Sequence, residues 1–121
     1  MPLFTAHSPS FPVTPAQTIS QGQWVTVTNT GAADLNIGTV KIVAADDDSE
    51  GDFLLTSDRC AGQTVAASAT CKVQIRFAPG RQNSTSNASL VFTSNAASSP
   101  NSVALTGSSS GLPTGPTGAT G

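Results

Sequence analysis

Most carboxylates of this chain lie in one acidic run, DDDSEGD, which begins at Asp46. Asp46, Asp48 and Glu50 have the spacing of the first three ligand positions of a calcium-binding loop, and Gly51 follows where that loop needs a glycine. Calcium prefers such a ring of carboxylate oxygens, so the three acids are a calcium candidate. The last ligand position holds Ser57 where a bidentate glutamate is needed. The alternative is a solvated acidic loop between strands, and we assign no metal.

The two cysteines, Cys60 and Cys71, are the next residues with chemistry of their own. An even cysteine count in a secreted or virion protein favours a disulfide. Zinc binding has no support, because the chain has no Cys-x-x-Cys spacing and only one His. Cys71 begins a strand with its side chain on the apolar face, and a bridge there should add roughly 2–3 kcal/mol. The alternative is two buried thiols.

The single tryptophan, Trp24, is out of phase with the two valines that follow it at alternate positions. In a strand it shares the outer face with Thr26 and Thr28. An outward tryptophan anchors a sugar or a partner protein, so these three residues are a candidate binding surface. The alternative is that Trp24 packs against a neighbouring loop, such as the N-terminal arm around Phe4 and Phe11.

The remaining inventory argues against an enzyme and against two classes of partner. His7 is the only histidine, and no Gly-x-Ser-x-Gly nucleophile motif is present, so we expect neither catalysis nor a cofactor. Five Lys and Arg against seven Asp and Glu give a net charge of −2, which cannot form a cationic face for nucleic acid. No apolar run approaches the about 20 residues that span a bilayer, so we expect no membrane insertion.

The elements that position these residues are predicted to be strands. Along residues 71–77 the apolar side chains alternate with Lys, Gln and Arg, which is typical of a half-buried strand. About seven such strands follow one another at roughly 10–15 residues, with turn residues between them and no amphipathic helix. The sequence therefore predicts an all-β, seven-stranded antiparallel sandwich. Its inward set is Val25, Val27, Leu35, Ile37, Val40, Ile42, Phe53, Val65, Val73, Ile75, Phe77, Leu90, Phe92, Val103 and Leu105.

Both ends of the chain differ from this central part. Residues 1–9 are a proline-rich arm, and the sandwich spans 10–107 with an irregular edge strand expected at about residues 10–14. Residues 108–121 begin as a Ser/Gly linker and end in GPTGATG, with Gly at every third position. This is the pattern of a collagen-like segment, which would hold three copies together. The alternative is a flexible Gly/Thr linker.

Location and association follow from composition. The first residues lack the basic and apolar regions of a signal peptide, so we expect that a signal was removed or that the protein leaves the cell another way, such as lysis. Only 10% of the residues are charged, while Ser and Thr make up roughly a quarter of the chain. Strands with few charges pair readily at their edges, which favours self-association on an exterior surface.

The order and spacing of several segments resemble the bacterial Hydin-like repeat, an ASH-type or "choice-of-anchor D" immunoglobulin-like domain. The resemblance covers roughly residues 10–107. One departure is RQNSTS at 81–86, where the family commonly has a glycine-containing turn. The segments that carry the resemblance are VTVTNTG at 25–31, LNI at 35–37, GDF at 51–53, Cys60, CKVQIRFAP at 71–79, ASLVFTSN at 88–95 and VALTG at 103–107.

The resemblance implies an immunoglobulin-like sandwich related to the major sperm protein and PapD-like domains. It also implies a Cys60–Cys71 disulfide, no catalytic residues, and a role as a spacer or interaction module of surface and secreted proteins. We expect a non-catalytic structural module of an extracellular or cell-surface assembly. The alternatives are a phage virion decoration or tail-fibre head on a collagen-like stalk, and a carbohydrate-binding accessory module.

Overall fold

A computed structural model describes residues 1–46 and 49–112. These residues form β-strands and no α-helix, so none of them belongs to a helix that could cross a membrane. The strands are β1 (Phe4–Ala6), β2 (Thr14–Pro15), β3 (Gln23–Asn29), β4 (Leu35–Ala44), β5 (Phe53–Asp58), β6 (Thr64–Val65), β7 (Thr70–Phe77), β8 (Thr85–Ser94) and β9 (Asn101–Ser110).

The strands form two layers. A four-stranded sheet has the order β1-β3-β7-β5, and a five-stranded sheet has the order β2-β9-β8-β4-β6. Neighbouring strands are antiparallel except for β2 and β9, which are parallel. The predicted all-β, immunoglobulin-like sandwich is therefore confirmed, with three very short strands, β1, β2 and β6, at the sheet edges.

The core lies between the layers and is built by period-two alternation. In β3 and β7, Val25 lies opposite Val73 and Val27 lies opposite Cys71, and all four side chains are buried. The predicted inward set is buried as expected except for Val40 and Ile42, which are half-buried and pack against the core. β4 has a register shift between Ile37 and Val40. The extra residue there changes which positions face inward, so that Val40 and Ile42 lie on the inner face together with Ile37.

The N-terminal arm is part of the fold. We expected an edge strand at residues 10–14. The arm instead forms β1, in which Phe4 lies opposite Asn29 of β3, and the shorter β2. Aromatic contacts hold the arm, because the Phe4 ring centroid lies 5.0 Å from that of Phe92 and Phe11 lies 6.0 Å from Phe77. The half-buried rings of Phe4 and Phe11 thus hold the arm against the core.

The end of β9 and the turn before β8 complete the comparison with the sequence expectation. β9 continues through Ser110, so residues 108–110 are strand rather than linker. In the turn between β7 and β8, Asn83 has a φ of 50°, a left-handed conformation that asparagine tolerates in place of glycine. The predicted collagen-like segment lies at 115–121, outside the described residues.

Candidate functional site

The outer edge of β9 is the first candidate site. One side of β9 pairs with β8 from Asn101 to Ser108. On the other side, β2 pairs only with Ser109 and Ser110. Among the described residues, no further backbone partner lies along 101–108 on this side. We call this side the free edge of β9, and it presents unpaired backbone groups to any second strand.

The other open edges of the two sheets carry features that oppose strand pairing. β4 has a register shift and the exposed Lys41. β5 has a register shift between Leu55 and Ser57 and ends at the exposed Asp58. β1 and β6 are only 3 and 2 residues long. β9 has 10 residues without a charge, a proline or a register shift, so it lacks the usual protection of an edge strand.

A second candidate surface lies on the outer face of the four-stranded sheet. Trp24 and Thr26 are exposed there, and Thr28 is half-buried, as the alternation predicts. The Lys72 Nζ atom lies 4.5 Å from the centroid of the Trp24 ring, and the Arg59 guanidinium carbon lies 6.0 Å from it. These are cation–π distances, so the ring holds both cations on this face. Arg59 belongs to the loop after β5, so Trp24 contacts a neighbouring loop, as the alternative expected. That loop is not the N-terminal arm, because Phe4 and Phe11 pack against core rings.

A cleft of about 360 Å³ adjoins Trp24, which is at the small end of ligand pockets of about 300–1,000 Å³. Its lining holds Arg59 and Lys72, three threonines, a glutamine, Val65 and Cys71. Thr26 joins the predicted binding surface to this cleft. The lining therefore combines two cations and several uncharged polar groups with a small apolar floor.

The disulfide between Cys60 and Cys71 is present, with Cα atoms 5.2 Å apart and both residues buried. It ties the loop after β5 to the start of β7. The Asp58 carboxylate shapes the same loop, because its Oδ1 atom accepts hydrogen bonds of 2.9 Å from the amides of Cys60 and Ala61. Arg59 is thereby fixed beside the sheet face.

Sequence reasoning missed the two cations of the cleft. Thr26 lies opposite Lys72 and Trp24 lies opposite Gln74, so Lys72 is a diagonal neighbour of Trp24 on the same face. Knowledge of the register between β3 and β7 would have placed Lys72 beside Trp24. Arg59 comes from a loop, and only its place next to Cys60 hints at its position.

The acidic run is only partly described. Asp46 and Glu50 are exposed, and the Asp46 carboxylate accepts a hydrogen bond of 2.8 Å from the Ser49 amide. Asp48 lies outside the described residues, and among those described no three His, Cys, Asp or Glu side chains are close enough to hold a metal. The three acids therefore stay an untested calcium candidate, and no metal is assigned. Asp52 points inward instead, and its carboxylate accepts hydrogen bonds from the Ser86 hydroxyl and the Gly80 amide.

No protein-family model and no curated protein matches the sequence. Among solved structures, the VesB protease of Vibrio cholerae is similar with a TM-score of 0.63 and 17% identity, over 87% of this chain and 31% of VesB. The secreted serine protease VesC of Vibrio cholerae has a TM-score of 0.59 and 18% identity, over 91% of this chain and 24% of VesC. The ASH/PapD-like domain 7 of human CEP192 has a TM-score of 0.58 and 14% identity, over 93% of this chain and 87% of that domain.

At these identities the likenesses show the fold, which is that of an ASH/PapD-like, immunoglobulin-like domain. The fold that the resemblance to ASH-type domains implies is therefore confirmed. The chain spans less than a third of either protease, so their activity describes those larger proteins. The absence of catalysis in this chain stays a prediction.

Proposed function

We propose that this domain is a non-catalytic structural module that assembles with protein on an exterior surface. The contact is made by the free edge of β9, which pairs with the β9 strand of a second copy. The observation that carries the proposal is this uncharged strand of 10 residues, whose outer side is free along 101–108. Pairing would satisfy backbone N–H and C=O groups that otherwise bind only water.

A second copy is the partner that best fits this edge. Two β9 strands that pair antiparallel about a two-fold axis place uncharged Ser, Thr and Ala side chains opposite one another. Pairing of β4 with itself would instead bring two copies of Lys41 onto one short interface, and like charges on paired strands repel. Because β9 carries no charge, its edge favours the self-associated form over a monomer.

An exterior location is supported by the disulfide and by one structural neighbour. Disulfides persist in oxidising compartments and are rare in the cytosol. VesC, which contains a region of similar fold, is a secreted protein. We therefore propose a cell-surface or secreted setting, with a virion surface as the alternative, and the genes that flank the full-length gene distinguish the two.

Sedimentation velocity over a range of protein concentrations tests the self-association. The wild-type chain is expected to form dimers, and Ala104→Lys is expected to stay monomeric, because Ala104 is exposed on β9 and the substitution places like charges across the interface. Asn87→Lys is the matched control, since it adds the same charge to the same sheet face on the central strand β8. A trimer that persists in Ala104→Lys would assign the contact to the Gly-X-Y tail instead.

A further inference from the structure

The cleft beside Trp24 concentrates positive charge on an acidic protein. The whole chain has a net charge of −2, yet Arg59 and Lys72 both line this cleft and no carboxylate of the described residues does. The nearest acid in the chain, Asp58, directs its Oδ1 atom to two loop amides. Among the described residues, Arg59 and Lys72 have the Trp24 ring as their side-chain partner and no ion pair. Two such cations at a concave surface attract an anionic group.

The uncharged part of the lining offers free hydrogen-bonding groups. In the described part of the chain, the hydroxyls of Thr26 and Thr70 and the side-chain amide of Gln63 form no hydrogen bond with other residues. A hydroxyl both donates and accepts, and an amide does so through separate atoms. These groups therefore suit a ligand that carries several hydroxyls, in addition to its negative charge.

We propose that this cleft binds an acidic saccharide, a sugar that bears a carboxylate or a sulfate. Arg59 and Lys72 bind the anionic group by charge-assisted hydrogen bonds. Thr26, Thr70 and Gln63 bind the sugar hydroxyls. The cleft lies between β6 and the strands β3 and β7, at the β6 edge of the five-stranded sheet. Since β9 lies toward the opposite edge of that sheet, ligand binding and assembly involve different surfaces.

Trp24 and the disulfide are positioning elements of this site. The Trp24 ring holds Lys72 and Arg59 at 4.5 and 6.0 Å, which keeps both cations at the cleft. The Cys60–Cys71 bridge fixes the loop that carries Arg59 and Gln63 against β7. The disulfide, the strand register and a hydrogen bond of 3.0 Å from the Arg59 amide to the Lys72 carbonyl thus bring the two segments of the site together.

Trp24 is also the probe for the experiment, because it is the only tryptophan in the chain. Trigalacturonic acid is titrated into the full chain while the Trp24 fluorescence is followed. The neutral trisaccharide maltotriose and inorganic sulfate serve as the comparison ligands. A saturable change with trigalacturonic acid, and a much weaker one with either comparison ligand, is the expected result.

Single substitutions then test whether Arg59 and Lys72 bind the anionic group of the ligand. Arg59→Gln and Lys72→Gln should each weaken trigalacturonic acid binding by about tenfold or more, as expected for a lost hydrogen bond to a charged group. Lys41→Gln is the matched control, because it removes the same charge from the exposed face of β4 in the other sheet. Thermal melting of each variant verifies that it is folded.

Three results would overturn the proposal. A fluorescence change that does not saturate shows that there is no site. Equal binding of maltotriose or sulfate shows that the cleft does not recognise an acidic sugar. An equal loss in Lys41→Gln shows that the net charge, rather than the cleft, attracts the ligand. The wild-type comparison of the three ligands stands even if a variant fails to fold.

Discussion

The Nδ2 atom of Asn29 donates a buried hydrogen bond of 2.9 Å to the carbonyl oxygen of Val65. Asn29 ends β3 in one sheet and Val65 lies in β6 of the other, so this bond joins the two layers. The same side chain also donates to the Ala33 carbonyl and accepts hydrogen bonds from the Leu3 and Gly31 amides. All of its polar capacity is used inside the protein, at a position with no solvent exposure.

Replacement of Asn29 by alanine should therefore destabilise the fold strongly. The change removes the partner of the buried Val65 carbonyl and of three partly buried backbone groups, and an unsatisfied buried group costs about 1–3 kcal/mol. We expect the free energy of unfolding in urea to fall by about 3 kcal/mol or more. Asn87→Ala, at an exposed position of β8, should change it by less than about 0.5 kcal/mol. Equal effects of the two substitutions would contradict the role of Asn29.

Loss of the disulfide should lower stability by a smaller amount. Cys60 and Cys71 are separated by 11 positions, and closure of such a short loop stabilises the fold by about 2–3 kcal/mol. The double variant Cys60→Ser/Cys71→Ser should lose that amount in urea unfolding. Mass spectrometry without reductant should find no free thiol in the wild-type chain, and a count of two would show that the bridge is absent in solution.

Overpacking at Gly107 should also destabilise the core. A Cβ atom at this position of β9 would lie 2.7 Å from Cε2 of Phe77, a fully buried ring. Gly107→Ala must displace that ring, which typically costs about 1–3 kcal/mol. Gly80→Ala is the control, because its Cβ would meet only Asp52 at 3.8 Å. Calorimetric melting should give a clearly lower Tm for Gly107→Ala than for Gly80→Ala. Equal Tm values of the two variants would show that the Phe77 ring can shift without a loss of stability.

Local sequence pattern predicted much of the fold and part of the site. Alternation fixed the inner faces of β3 and β7 and the outward direction of Trp24, because side chains in a strand alternate by geometry. The Cys71 side chain was placed inward for the same reason, where the disulfide lies.

The remaining features depend on contacts between residues far apart in sequence. The pairing of β1 is fixed by the contact of Phe4 with Phe92, which no local pattern encodes. The register shift in β4 sets how deeply Val40 is buried, and alternation alone misses it. The cleft unites Thr26, a loop cation and a strand cation, so its existence depends on strand order and on the disulfide.

Amide hydrogen exchange, followed residue by residue by NMR at low and high protein concentration, tests the proposed assembly most directly. The account predicts that amides in residues 101–108 that point away from β8 become protected as the concentration rises. The open edge of β4, residues 39–44, is the internal control and should exchange at the same rate throughout. Unchanged exchange along β9 at high concentration, or protection that arises along β4 instead, would contradict assembly through the free edge of β9.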